Sequence, residues 1–223
     1  MTSLALLQMV SPALPVGAFS YSEGLEVLIQ AGALKDEHGI EQWLAAELQR
    51  GAMRFEAAAL PELAVDLRLW TVNGDSTARS RLIELDSWLL ATREAAEVRL
   101  QQRQMGSALL KLLADMNYPL PEELSLSWPA AWAWASMTFQ VIERDMVEGY
   151  LYSWVANQLS AAVRLLPLGP TRAQVLQPRM APRIVVAAEG LSGRSVSELW
   201  SGGVGASMAQ LAHGELYSRL FRN

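Results

Sequence analysis

The 223-residue chain has no cysteine, and its 18 basic and 23 acidic residues give a net charge of −5. The missing cysteine excludes disulfides, thiolate catalysis and cysteine-based zinc sites. The charges are mixed along the chain without a cationic stripe, which leaves nucleic acid little to bind. The length predicts one large domain burying about 70% of the surface its unfolded chain exposes. With 51% hydrophobic residues and a mean hydropathy of +0.14, the chain has either a large core or an adhesive surface.

The dominant period is helical. "SLALLQMV" reads as a short first helix, not a secretion signal, because no basic start precedes it and no A-x-A-like site follows. "LPVGAFSYSEGLE" (14–26) interrupts the pattern with Pro, Gly and aromatics. Gly32 then closes a short helix, and Asp36 or Gly39 opens the next, "IEQWLAAELQRGAMRF", with Ile40, Trp43, Leu44, Leu48 and Phe55 near one face. Pro61 is expected to open "PELAVDLRLW", closed by the turn "VNGDS" at 72–76. The longest helical pattern runs from Thr77 to Met116. Its seam is Ala91, Ala95, Val98, Gln102, Met105, Leu109 and Leu112, with Gly106 marking a bend or a close approach.

After the connector "NYPLPEEL" (117–124), two uncharged stretches, 125–142 and 149–163, invite a membrane check. The first holds Pro129 and Gln140, and the second is short of the about 20 apolar residues a span needs, so both read as helices inside a bundle. The helix through Arg164 ends at Pro167. The one after it contains Pro178 and Pro182 and is kinked or split. From residue 191 the composition turns to Gly, Ser and small residues, which reads as a flexible tail ending in a recognition segment. The expected fold is all-α: a single helical bundle domain over 1–190 and a flexible tail over 191–223.

No supported catalytic constellation appears. His38, beside Asp36 and Glu37, reads as a solvated residue at a helix start, and His213 as a contact or an exposed residue in the tail. "SGGVG" (201–205) has no preceding strand and no following Lys-Ser/Thr, so it fails as a phosphate loop and reads as flexible tail. The stretch 92–104 reads as a solvated helix face held by i,i+4 pairs, with a polar groove or an internal network as the alternative. Glu122 and Glu123 read as surface charge. No cofactor or metal site is expected.

Four segments in order resemble the UreF family of urease accessory proteins. "SPALPVGAFSYSEGLE" is similar to the family's N-terminal signature, Pro-x-Gly, Gly or Ala, then Phe-Ser-x-Ser-x-Gly-Leu-Glu. "ATREAAEVRLQQRQMGSALLKL" (91–112) resembles its Arg-Glu … Glu-x-Arg … Gly helix. "RLLPLGPTRAQ" (164–174) matches its basic residue before an apolar-Pro-x-Gly turn, and "YSRLFRN" its terminal Tyr-Ser-Arg-Leu-Phe-Arg-Ser. The chain departs from the pattern in having Gly214, not Glu, after His213, and Asn223 in place of Ser.

The resemblance implies a cytoplasmic, all-α, non-enzymatic protein that dimerises and joins UreD (also called UreH) and the GTPase UreG to deliver nickel to apo-urease. On that reading Ser20, Tyr21, Ser22, Glu26 and Arg164 are candidates to face UreG. His213, Tyr217, Arg219, Leu220, Phe221 and Arg222 are candidates to face UreD, with Leu216, Leu220 and Phe221 on one face of a short helix. Pro15, Gly17, Phe19, Gly24, Arg93, Glu94, Glu97 and Arg99 carry the structural motifs. Phe19 is read equally as a core plug and as a partner contact. Two further readings are a helical enzyme acting on a small molecule through 92–104, and an arginine finger for the GTPase from Arg93, Arg99 or Arg164.

Overall fold

The computed structural model describes residues 4–223, so Ser3 of the expected first helix lies outside the described residues. Among those residues there are ten α-helices and no strand: α1 (Leu4–Met9), α2 (Leu25–Gln30), α3 (Glu37–Arg50), α4 (Met53–Asn73), α5 (Ser76–Ala91), α6 (Ala96–Asp115), α7 (Trp128–Thr138), α8 (Glu143–Leu165), α9 (Pro170–Leu191) and α10 (Val204–Ala212). The all-α bundle is therefore observed.

Local chemistry places several of the boundaries. The Asp36 side chain accepts the Gly39 amide at 2.8 Å and caps α3. Gly74, in the left-handed region at φ 70°, ends α4, and Asp75 caps α5 through the amides of Thr77 (2.8 Å) and Ala78 (3.1 Å). α7 is the innermost helix. Every residue from Trp128 to Ser136 is buried, including Trp132, whose indole N–H donates to the Met146 carbonyl at 3.1 Å. α4, α6 and α8 pack around it, and α9 lies across α8 and α3.

Three elements differ from the sequence expectation. α4 starts at Met53 and runs straight through Pro61, because Glu56, Leu60, Leu63, Leu67 and Trp70 step by four and three and keep one buried face in register. That packing outweighs the lost amide. α9 spans Pro178 and Pro182 as one helix, held by Ala173, Leu176, Met180, Ile184 and Ala188, so of its two expected forms the split is excluded. The long helix expected over 77–116 is two, α5 and α6. The break at 92–95 turns the Arg93 side chain into the core.

Gly106 marks a close approach. A Cβ there would lie 2.3 Å from the Leu126 carbonyl oxygen. The same junction is pinned by Asp86, which accepts the Ser127 amide at 2.9 Å, the Ser127 hydroxyl, and Arg103 at 3.1 Å. Within the tail expected over 191–223, residues from 202 onward pack onto the bundle. The Gly202 amide donates to the Arg50 carbonyl at 2.9 Å, and α10 lies against α2.

Candidate interaction site

The 14–24 loop and the C-terminal segment meet in one buried joint. Gly17 (φ 74°) opens a 3-10 turn over Ala18–Ser20, and Gly24 (φ 88°) opens α2. A Cβ on Gly24 would stand 3.0 Å from the Gln210 amide nitrogen and 3.1 Å from the Ala209 Cβ, so the glycine lets α10 come close.

Glu26, in the first turn of α2, is buried and gathers the tail. Its carboxylate accepts the backbone amides of Leu220 (2.7 Å) and Phe221 (3.1 Å) and the Gln30 side chain (3.2 Å), and His213 Nε2 lies 3.2 Å away. The other ring nitrogen of His213 is 3.0 Å from Glu97, which also accepts Arg219 at 3.0 Å. The Asn223 carbonyl accepts both the amide (3.0 Å) and the hydroxyl (2.5 Å) of Ser22. Its side-chain amide donates to Gln101, and Gln101 in turn donates to Glu23 at 2.9 Å.

A second buried network lies beneath. Arg93 donates through Nε (2.8 Å) and a terminal nitrogen (2.6 Å) to Glu56 Oε1, which also accepts Gln102 at 3.2 Å, while Oε2 accepts the Tyr150 hydroxyl at 2.6 Å. Burial pushes the Glu56 carboxyl up, against the pull of Arg93 and the Tyr150 hydroxyl. Burial also raises the Tyr150 hydroxyl, with the Glu56 charge adding to it. For Arg93 burial works downward, but the charges of Glu56 and Glu23 and the hydrogen bonds to Glu56 together hold the guanidinium above its ordinary value. The pair is an ion pair with its lone pairs occupied. Between the two networks sits a cavity of only about 10 Å³, bordered by Glu23, Glu47, Arg93 and Trp154. Burial there pushes the Glu47 carboxyl from 4.5 up to about 7, with Arg93 opposing and Glu23 adding to it.

The structure redistributes the candidate residues. Tyr21, Ser22 and Glu26, expected on a partner-facing surface, are buried; the Tyr21 hydroxyl donates to Gln104 at 2.6 Å. Ser20 is half-buried, and its carbonyl accepts the Arg222 amide at 2.9 Å. The exposed ring of the loop is Phe19, at 68%. Arg164 does not bond its own helix end. It donates to the Phe19 carbonyl at 2.8 Å and stacks on the Phe221 ring, 4.3 Å from its centroid.

In the tail His213 and Phe221 are buried, while Tyr217, Leu220 and Arg222 are exposed. Residues 216–223 form turns, not the expected helix, because their amides are taken by Glu26 and Ser20. The polar stretch 92–104 is not a solvated face. Arg93, Gln101 and Gln102 are buried, Glu97 is half-buried, and Arg99 donates to the carbonyls of Arg93 and Glu94 (2.8 Å to the latter). Glu94 and Pro15 are exposed, as is His38, which bonds Gln42 at 2.8 Å.

Sequence reasoning missed Glu23, Glu47, Glu56 and Gln101. Glu23, at φ 50°, holds the left-handed backbone of the turn, and its amide donates to Asn223 at 3.2 Å. Four polar positions within six residues of α6 were the signal available. Among the described residues no group of His, Asp or Glu could hold a metal ion, and no helix is long and apolar enough to cross a membrane.

Fold and site together define an all-helical protein whose N-terminal loop and C-terminal segment are tied by buried carboxylates. The UreF family model matches residues 34–181. The urease accessory protein UreF of Prochlorococcus marinus subsp. pastoris is 38% identical over 220 residues, 96% of each chain. That of Microcystis aeruginosa is 39% identical over 225 residues, covering 99% of this chain and 97% of the relative. That of Trichormus variabilis is 38% identical over 228 residues, covering 99% and 95%. The chain belongs to the UreF family.

Proposed function

We propose that the protein is a non-enzymatic urease maturation factor that acts in the cytoplasm as a homodimer. It bridges UreD and the GTPase UreG and regulates GTP-dependent nickel delivery to apo-urease. The observation that carries this reading is the outward face of α10. Val204, Met208 and Leu211 step by four and three and are 55–65% exposed, while Ala206, Ala209 and Gln210 face inward. Trp200, Tyr217 and Leu220 extend the exposed apolar surface along the same segment. Exposed apolar side chains on one helix face of this kind suit a protein-binding surface. The UreD-facing role therefore fits Tyr217 and Leu220 with this stripe. The UreG-facing role fits the exposed Phe19 of the N-terminal loop and Arg164, which bonds it from the end of α8.

The enzyme reading finds less support, since the cavity that Arg93 borders is about 10 Å³ and small-molecule sites occupy about 300–1,000 Å³. Of the three arginine-finger candidates, Arg93 is buried against Glu56, Arg99 is half-buried and Arg164 is exposed.

The test is co-purification with UreD of the wild type and of Met208→Glu/Leu211→Glu, whose side chains point outward and leave the buried joint whole. Wild type is expected to elute with UreD and the variant alone, with unchanged circular dichroism. If both forms bind UreD equally, the α10 stripe is not the interface. If neither binds, the bridging role fails.

A further inference from the structure

A groove lies between α3 and α9, where α3 meets the start of α4. It consists of two adjoining hollows of about 380 and 430 Å³ that share Ala45, Gln49 and Arg183. Its floor is apolar, with Ala45, Leu48, Val186 and Ala187. Four guanidiniums line it. Arg50 and Arg183 border the first hollow, and Arg54, Arg183 and Arg194 the second.

No ion pair or hydrogen bond joins the guanidinium of Arg50, Arg54, Arg183 or Arg194 to any described residue. Arg183 differs in this from the other arginines of α9. Arg172 and Arg179 pair with Glu37 at 2.6 and 3.2 Å. The one acid on the wall, Glu41, lies 3.8 Å from Arg179. Arg54 and Arg194 crowd each other: burial lowers the Arg54 pKa, and the Arg194 charge lowers it further. A chain of net charge −5 thus places four guanidiniums without a direct ion pair around an apolar trough.

We infer that the α3–α9 groove is a docking site for a short acidic and apolar segment of a partner protein, held by Arg50, Arg54, Arg183 and Arg194 over the floor of Leu48 and Val186. Charge complementarity selects the acid. Length selects a peptide over a lone anion: His38 and Arg50, both on the wall, stand about 18 Å apart along a helix rising 1.5 Å per residue. The exposed Val186 side chain, 68% accessible, gives an apolar side chain of the segment a surface to cover. The site shares no lining residue with the α10 stripe, and its occupancy does not depend on UreD or UreG being the partners.

The probe is a fluorescein-labelled peptide of alternating Glu and Leu. About six to eight residues suffice, since an extended residue spans about 3.3 Å. Fluorescence anisotropy should show saturable binding that weakens as salt is raised, because rim charges are screened. Arg183→Gln/Arg194→Gln should bind about tenfold more weakly, as loss of two surface charge contacts predicts. Arg183→Lys/Arg194→Lys should recover part of the affinity. The thermal midpoint of each variant should match wild type, since these side chains hold nothing in the fold.

Equal binding by the Gln variant, or no binding by wild type, overturns the inference. So does equally tight binding of a control peptide of alternating Lys and Leu, or displacement by inorganic phosphate alone, which would make the groove a small-anion site. A dimer that dissociates in the Gln variant while the peptide fails to bind would assign the groove to a second copy of the chain.

Discussion

The Leu220 amide donates to the Glu26 carboxylate over 2.7 Å, although the two residues stand 194 positions apart. That carboxylate also holds Phe221 and His213, so one side chain gathers the last turn of the chain onto α2. Glu26→Ala should leave these donors unpaired, at roughly 1–3 kcal/mol for each buried group. Amide exchange at Leu220 and Phe221 should accelerate, while the amides of α7 keep their protection. Unchanged exchange at those two amides would mean that Glu26 does not hold the tail.

Arg93→Ala should strand the buried Glu56 carboxylate and cost about 3–5 kcal/mol, read as a lowered midpoint in denaturant. Arg93→Lys should recover only part, because an ammonium cannot offer the two fixed N–H groups that the guanidinium directs at one oxygen. Arg93→Met with Glu56→Gln should be less destabilised than Arg93→Ala alone. A double variant as unstable as the sum of both single changes would show that the pair is not coupled.

Glu47 supplies a pH signature. Its folded pKa of about 7 lies above the unfolded 4.5, so the native state binds the extra proton between those values. Stability should fall as pH rises through that window, and the deficit is complete above pH 7. Glu47→Gln should match wild type near pH 4 and exceed it at pH 8, by up to about 3 kcal/mol before allowing for partial solvent contact. Chemical denaturation at the two pH values measures the gap, and a gap that does not widen with pH removes the assignment.

Two glycines should respond in opposite ways to the same change. Gly106→Ala drives a Cβ into the backbone of Leu126 and Ser127 and should cost at least about 1–3 kcal/mol. At Gly190, inside α9, a Cβ meets nothing within 4 Å. There Gly190→Ala should stabilise by about 1 kcal/mol through helix propensity. Thermal melts of the two variants should move apart, and a shift in the same direction would contradict the packing at Gly106.

What was legible in the sequence is what local rules determine: the helical period, the Asp36 cap, the turn at Gly74 and the close approach at Gly106. Periodicity locates the polar face of 96–104 but does not say what that face meets, and here it meets Glu23 and Glu56 instead of water. The 14–24 loop has no period at all, so nothing in it distinguishes the exposed Phe19 from the buried Tyr21. The break at 92–95 arises because Arg93 reaches a carboxylate 37 positions earlier. Pairings of this range, like those of Glu26 with the tail, leave no local trace.

The joint between Ser22 and Asn223 closes across 201 positions, which sets an order of events during synthesis. Ribosomes add about 5–20 residues per second, so Ser22 waits roughly 10–40 s for its partner to be made. Through that interval the Glu26 carboxylate lacks the His213 ring and the Leu220 and Phe221 amides that cover it in the finished fold. The clasp is therefore a late step with high contact order, closed only after the helices that flank it exist. A nascent chain stalled before residue 213 should bury its aromatic core around α7 and still lack a finished N-terminal loop.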